Sequence, residues 1–376
     1  MTVVVSALAL VLAVLQGEPP PSSGGAAPPP AAPEQQDAER KKKLEEEIAK
    51  ELGQGVPQAA PAPGAQTGPA APSGTGGSPM ARLLLLPDIS AVGSFAGAYD
   101  SYDVEALSPR EGPFGPAGKP TPLFQELELG LQAVVDPYAR ADVFLSFAPG
   151  SVDVEEAYLT TLSLPAGLQL KAGTFKSPFG RLNQQHPHVW DFVDAPLALQ
   201  RILGPDSLSG AGADLAWLSP LPWFAELHAA WQEVAPGLPG EPQSTGLARL
   251  IQYLDLAEGT SLGVGLSGAW KLSGPGGPEN VAGADLYLKI RPPGGRAYLA
   301  LQGEILAEDL GGAAQRGGGY AQLVWRSSPH WSFGVRYDDA AAVGGGRERR
   351  WSALAGFLPS EFQRLRLQVS EDLLPG

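Results

Sequence analysis

Two histidines separated by one proline, His186-Pro-His188, carry the strongest chemical signal in the chain, and they are half of its four histidines. On an extended backbone, imidazoles two residues apart lie on one side. With Asp191 or Asp194 they supply the nitrogen and oxygen donors that suit zinc. A second reading is purely electrostatic. Arg181, Asn183, His186, His188, Asp191, Asp194 and Arg201 form one polar stretch that could line a narrow solute path. Catalysis has no comparable carrier, because neither a nucleophile elbow nor a His-Glu-x-x-His pair is present. There is no cysteine, which excludes disulfides and thiolate metal centres. An enzyme is therefore not expected, nor is any cofactor or resident metal.

The elements around this stretch decide between the readings. The 376 residues carry a formal charge of -14, with Gly 48 and Pro 38 both high for a globular chain. The acidic balance argues against nucleic acid as a partner. An apolar run from Val3 to Leu15 has the length of a signal-peptide core and is too short to span a bilayer as a helix. Residues 1–17 are therefore expected to be a secretion leader, although no Lys or Arg precedes the run. Residues 18–81 are mostly Pro, Ala, Gly and Ser, a composition that cannot bury enough apolar surface to order itself. One island at 34–52 places Leu44, Ile48 and Leu52 at helical spacing, as a short coiled-coil-like stalk or a lone solvated helix.

From residue 82 to 376 the texture is period two. Leu262, Val264, Leu266, Trp270 and Leu272 alternate with Ser261, Gly263, Gly265, Ser267 and Lys271. Trp331, Phe333, Val335 and Tyr337 alternate with Ser332, Gly334, Arg336 and Asp338. This is the signal of long strands. Short connections such as Ser219–Pro222, Arg326–His330 and Leu358–Glu361 alternate with longer ones, as in an antiparallel up-and-down meander. A two-sheet sandwich is the rival. Three features favour an all-β transmembrane barrel. The strands reach the length that crosses a bilayer at a tilt. Aromatics flank the short turns: Trp217 and Trp223, Trp325 and Trp331, Phe357 and Phe362. The polar face carries too many charges for a packed core. About fifteen strands can be counted where an even number is expected, so a barrel of about sixteen is predicted with its final strand missing, a C-terminal truncation.

The polar stretch then falls in the longest loop, 177–210, with a short helix predicted over Ala195–Leu203 and Asp194 at its N-cap. In a wide barrel such a loop folds into the lumen. Here the run KAGTFKSPFGRLNQQHPHVWDFVDAPLALQ, continuing through GPDSLSGAGADLAWLSP, resembles the phosphate-selective porin O and P family of outer-membrane porins. The shared pattern is Gly-x-x-Lys-x-x-Phe-Gly-Arg, then an Asn, His-x-His and Asp-x-Pro-Leu. The resemblance implies a sixteen-strand, trimeric porin in a bacterial outer membrane, with that loop in the pore and small solutes or ions passing. It covers most of 82–376, and only the central run is specific.

The lumen face does not read as a dedicated anion path. Bases expected there are Arg140, Lys271, Lys289, Arg291, Arg326, Arg336, Arg364 and Arg366. Acids expected there are Asp142, Asp214, Glu226, Asp285, Glu304 and Asp338, with His228 as a wall residue. A phosphate ladder needs connected Arg and Lys with few acids between. The expected function is thus a general outer-membrane porin for passive diffusion. The alternatives are a TonB-dependent-type receptor, or metal-linked uptake protein, and a structural or adhesion barrel. The former needs a folded plug, for which residues 18–80 are too poor in apolar side chains.

Overall fold

The computed structural model describes residues 2–11, 87–103, 112–204, 207–234, 243–273, 280–309, 315–342 and 345–373. The 18–81 linker and its expected helix at 34–52 lie outside these residues.

In chain order the strands are β1 Thr2–Val11, β2 Asp88–Asp100, β3 Thr121–Asp136, β4 Ala139–Ala148, β5 Ser151–Thr161 and β6 Leu168–Lys176. They continue as β7 Ser209–Leu218, β8 Phe224–Val234, β9 Gln243–Ala257, β10 Thr260–Ser273 and β11 Asn280–Ile290. The last five are β12 Tyr298–Asp309, β13 Gln315–Arg326, β14 Trp331–Ala341, β15 Arg347–Ser360 and β16 Gln363–Leu373. Each of β2–β15 pairs antiparallel with the next in sequence, the meander expected from the alternating connections. β1 pairs antiparallel with β16 on one side and β2 on the other, which closes the barrel. Thr2–Val11, part of the run expected to be a leader, thus lies in the place where the sequence reading left a strand missing.

The two faces of the sheet are inverted relative to a water-soluble protein. On β10, Leu266 is 61% exposed and points outward, whereas Ser267 beside it is buried. On β14, Trp331, Phe333 and Val335 are exposed while Ser332, Arg336 and Asp338 are buried. On β15, Trp351 faces out and Arg350 faces in. Apolar outside and charged inside is stable only if the outer face meets hydrocarbon and the inner face meets water or internal partners. The girdle residues Trp217, Trp223, Trp325, Trp331 and Phe362 are all exposed near the short turns. No helix among the described residues is long and apolar enough to cross a membrane.

Two β-bulges shape the inner wall beside β3. The β2–β3 register shifts between Ser94 and Phe95, and the β4–β5 register shifts between Phe144 and Leu145, where Phe144 faces Glu156 and Leu145 faces Val154. Glu155 is the extra residue of the second bulge. A bulge breaks the in–out alternation, so two successive side chains can point the same way.

Candidate functional site: the inward loop and its wall

The connection between β6 and β7 folds into the barrel and is held there along its length. At the neck, Ser177 N–H donates to Leu208 O at 2.8 Å. Asn183 bridges the same pair: its Nδ2 donates to Ser177 O and Leu208 O, and its Oδ1 accepts Leu208 N–H at 2.6 Å. A single 3-10 turn, Pro187–Val189, and one short helix, α1 Leu197–Ile202, follow. Phe179, Leu182, Leu197, Ile202 and Leu203 pack against Val281, Leu306, Tyr320 and Ala340 of the inner wall. Burial of each large apolar side chain is worth about 1.5–3 kcal/mol, so this contact is a major part of the docking.

The first arm is clasped by Glu304 on β12. Its carboxylate accepts Arg181 N–H at 3.0 Å, Leu182 N–H at 2.8 Å and Tyr320 O–H at 2.8 Å. Gly180 makes the approach possible. It sits at φ +57, and a Cβ there would lie 2.3 Å from Glu304 Oε2.

The second arm is held by arginines. Asp194 is buried and accepts Arg336 Nη2 at 2.8 Å and Gln368 Nε2 at 2.7 Å, and it is also ion-paired with Arg350. Arg336 also pairs with Asp338, and Arg350 with Asp372. Arg364 donates to Trp190 O and Arg366 to Trp190 O and Phe192 O. Burial raises the Asp194 pKa, but Arg336 and Arg350 outweigh it, and the carboxyl is held below its ordinary value. The stability Asp194 contributes is therefore complete above the unfolded carboxylate range, about 3.9, and is lost as pH falls through its lower folded value. Hydrogen exchange of amides 195–203, corrected for intrinsic rates, should stay slow from pH 7 to about 4 and accelerate below. Protection unchanged at pH 2 would remove Asp194 as an anchor.

These contacts alter the expected helix. It runs from Leu197 to Ile202 rather than 195–203, and Asp194 does not cap it. The arginines take that side chain, and Asp338 from β14 accepts Leu197 N–H at 3.1 Å instead.

The third contact was invisible in the sequence pattern. His186 and His188 face β3–β5, where they meet Glu128, Glu155 and Glu156 instead of Asp191 or Asp194. His186 Nε2 lies 2.7 Å from Glu156 Oε1, and its Nδ1 lies 2.9 Å from Glu128 Oε2 and 2.8 Å from Glu155 Oε2. His188 Nδ1 lies 3.2 Å from Glu128 Oε2. Burial by itself would lower the His186 pKa, but the three carboxylates push it up to about 11. The bulge at Glu155 is what turns two adjacent glutamates inward, where strict alternation would place only one of them.

Of the seven residues expected at a constriction, Asn183, Asp194 and Arg201 are buried and serve as fasteners; Arg201 pairs with Glu348 at 3.0 Å. Arg181 and Asp191 keep exposure. Arg181 Nη1 donates to Tyr253 Oη at 2.6 Å, with its guanidinium 3.9 Å from the Tyr287 ring centre. Asp191 is 41% exposed beside Arg364. Among the expected wall residues, Asp142, Asp214, Asp285, Glu304, Arg336 and Asp338 are buried on the inner face, while Glu226, His228, Lys271, Lys289, Arg326, Arg364 and Arg366 are half-buried. Arg140 and Arg291 are exposed at the turns. His228 sits between Asp214 and Glu226. The run Gly259-x-Ser261-x-Gly263 has the spelling of a nucleophile elbow, but it leads from a tight turn into β10 and not from a strand into a helix.

The inner-wall bases are matched by acids: Arg140 with Asp142, Arg249 with Asp285, Arg316 with Glu308. No family model matches the chain. A protein of Aquifex aeolicus (strain VF5), described as an uncharacterized protein, is 30% identical over 354 residues, covering 78% of this chain and 75% of that protein. This chain belongs to its family. Among solved structures, it is similar to Pseudomonas putida OprB at 10% identity, over 75% of this chain and 93% of that one, with a TM-score of 0.49. It is also similar to the outer membrane channel DcaP of Acinetobacter baumannii at 10% identity, over 77% and 98%, with a TM-score of 0.41. A trimer form of Vibrio cholerae OmpT, an outer membrane protein, matches at 10% identity over 68% and 83%, with a TM-score of 0.48.

Proposed function

We propose that this protein is a porin of a bacterial outer membrane, a passive channel for small solutes or ions that is narrowed by the loop 177–210. The observation that carries it is the inverted barrel, with apolar side chains outward and charged side chains inward, into which a loop is fastened. A barrel of about sixteen strands is wide enough for an aqueous channel. Among the described wall residues, carboxylates stand beside Arg249, Arg336 and Arg350, a pairing that favours a general path over a phosphate ladder. The reading is therefore a general porin, and the assembly implied by the resemblance is a homotrimer, which native mass spectrometry of the detergent-solubilised protein would test. Residues 1–17 are proposed as its export leader, and cleavage there would take β1 out of the wall between β2 and β16. Their apolar run lacks the polar alternation of the barrel strands, and the mass of protein isolated from membranes should begin after Gly17.

The deciding experiment is single-channel recording in a planar bilayer under a KCl gradient. Steady ohmic current supports a porin, and no current from protein shown to be inserted would sink it. Within that experiment, Arg181 and Arg201 separate. Arg181 is accessible, so Arg181→Ala should move the reversal potential toward cation preference. Arg201 is buried against Glu348, so Arg201→Ala should change conductance through the loop and leave the sign of the potential. A shift with Arg201→Ala alone would place the constriction elsewhere.

A further inference from the structure

We propose that His186, Glu128 and Glu155 form a site for one divalent transition-metal ion of the zinc class, with His188 against Glu128 beside it, which clamps the inward loop to β3–β5. Ligand geometry comes first. His186 Nδ1, Glu128 Oε2 and Glu155 Oε2 lie within 4.8 Å of one another, as do ligand atoms of His188, Glu128 and Glu126. Zinc holds nitrogen and oxygen donors at about 2.0–2.2 Å in a tetrahedron, whose edges are then roughly 3.3 Å. The observed separations of 2.8 and 2.9 Å around His186 Nδ1 reach that with small outward shifts.

Hydrogen bonding does not account for the convergence. His186 Nδ1 can carry one proton, yet two carboxylates press on it. Glu128 Oε2, Glu155 Oε2, His186 Nδ1 and His188 Nδ1 are all buried atoms without a hydrogen bond of acceptable angle. Glu128 itself is 4% exposed. The far side of His186 is different. Its Nε2 meets Glu156 Oε1 at 2.7 Å in a true hydrogen bond. A metal-ligating histidine has this arrangement, with one ring N–H donated to a carboxylate and the other nitrogen left for the ion.

Charge points the same way. Glu126, Glu128, Glu155 and Glu156 face only two imidazoles. Lys176 acts on Glu156, but even with both rings protonated a negative charge is left over. A divalent cation would supply at the carboxylates the positive charge that imidazole protons otherwise carry, since metal binding to histidine displaces them. The site lies on the loop, so the ion joins the connection between β6 and β7 to β3 through Glu128 and to β5, the neighbour of β6, through Glu155.

The test uses metal-free full-length protein refolded without a histidine tag. One equivalent of zinc should bind per chain by equilibrium dialysis. Glu128→Gln and His186→Asn should each weaken binding at least ~10-fold, and Glu156→Gln should weaken it ~10–100-fold by loosening the carboxylate hold that orients His186. His228→Asn should leave the affinity unchanged. Cobalt(II) titration of the unaltered protein guards against variants that fail to fold. A visible ligand-field band that saturates at one equivalent supports the site. No saturable cobalt or zinc binding, or binding lost in His228→Asn and retained in His186→Asn, overturns it.

Discussion

Replacing Asp194 with alanine is expected to loosen the second arm of the loop by on the order of 3 kcal/mol, the value of charge-assisted bonds lost from a buried carboxylate. Asp194 is the loop's contribution to a five-charge cluster with Arg336, Arg350, Asp338 and Asp372. Each arginine keeps a second carboxylate after the change, so no cation is orphaned and the cost is confined to the bonds Asp194 accepts. Removing a cation instead is worse. Arg336→Met leaves Asp194 and Asp338 buried near one another with their shared partner gone, a change typically costing about 3–5 kcal/mol. The expected order of damage is therefore Arg336→Met, then Asp194→Ala, then Asp194→Asn, which keeps the shape. Amide exchange over 195–203 should accelerate roughly 100-fold in Asp194→Ala, and channel conductance should rise as the loop leaves the lumen. The barrel itself should stay folded, as judged by heat-modifiable migration in gels. Unchanged exchange and unchanged conductance would mean that apolar packing of α1 alone holds the loop.

The second large effect belongs to the opposite arm. Glu304→Ala removes the acceptor of two loop N–H groups and of the Tyr320 hydroxyl, all buried. Donors left unsatisfied cost about 1–3 kcal/mol each, less what entering water restores. Gly180→Val attacks the same contact from the loop side, because a β-branched residue is strained at this left-handed φ and its Cβ would press on Glu304 Oε2. Both variants should free amides 179–185 and raise conductance, and Glu304→Gln should do so less, since one oxygen still accepts. The arms use different strands, β12 against β14–β16, so each variant should act on its own segment and the double variant with Asp194→Ala should be additive. Exchange of both segments released together by either single change would show that the loop docks as one cooperative unit, and the two-arm description would fail.

The sequence alone determined the barrel, because period two is a direct record of which side chains meet lipid and which meet the interior. The alternation of Leu266 with Ser267, or of Phe333 with Arg336 and Asp338, needs no tertiary knowledge. The turn-flanking tryptophans and the location of the polar loop were legible for the same reason. Three things were decided only by the tertiary structure. Asp194 and Arg201 look like pore residues in the sequence, but their partners Arg336, Arg350 and Glu348 lie more than a hundred residues away, and burial turns them into fasteners. The histidines select Glu128, Glu155 and Glu156 over the nearer Asp191 and Asp194, because the chain after Pro187 carries the aspartates to β14–β16. Glu155 joins its neighbour inside because a bulge suspends the alternation, and a bulge is fixed by the register of two strands, which no single strand's sequence contains.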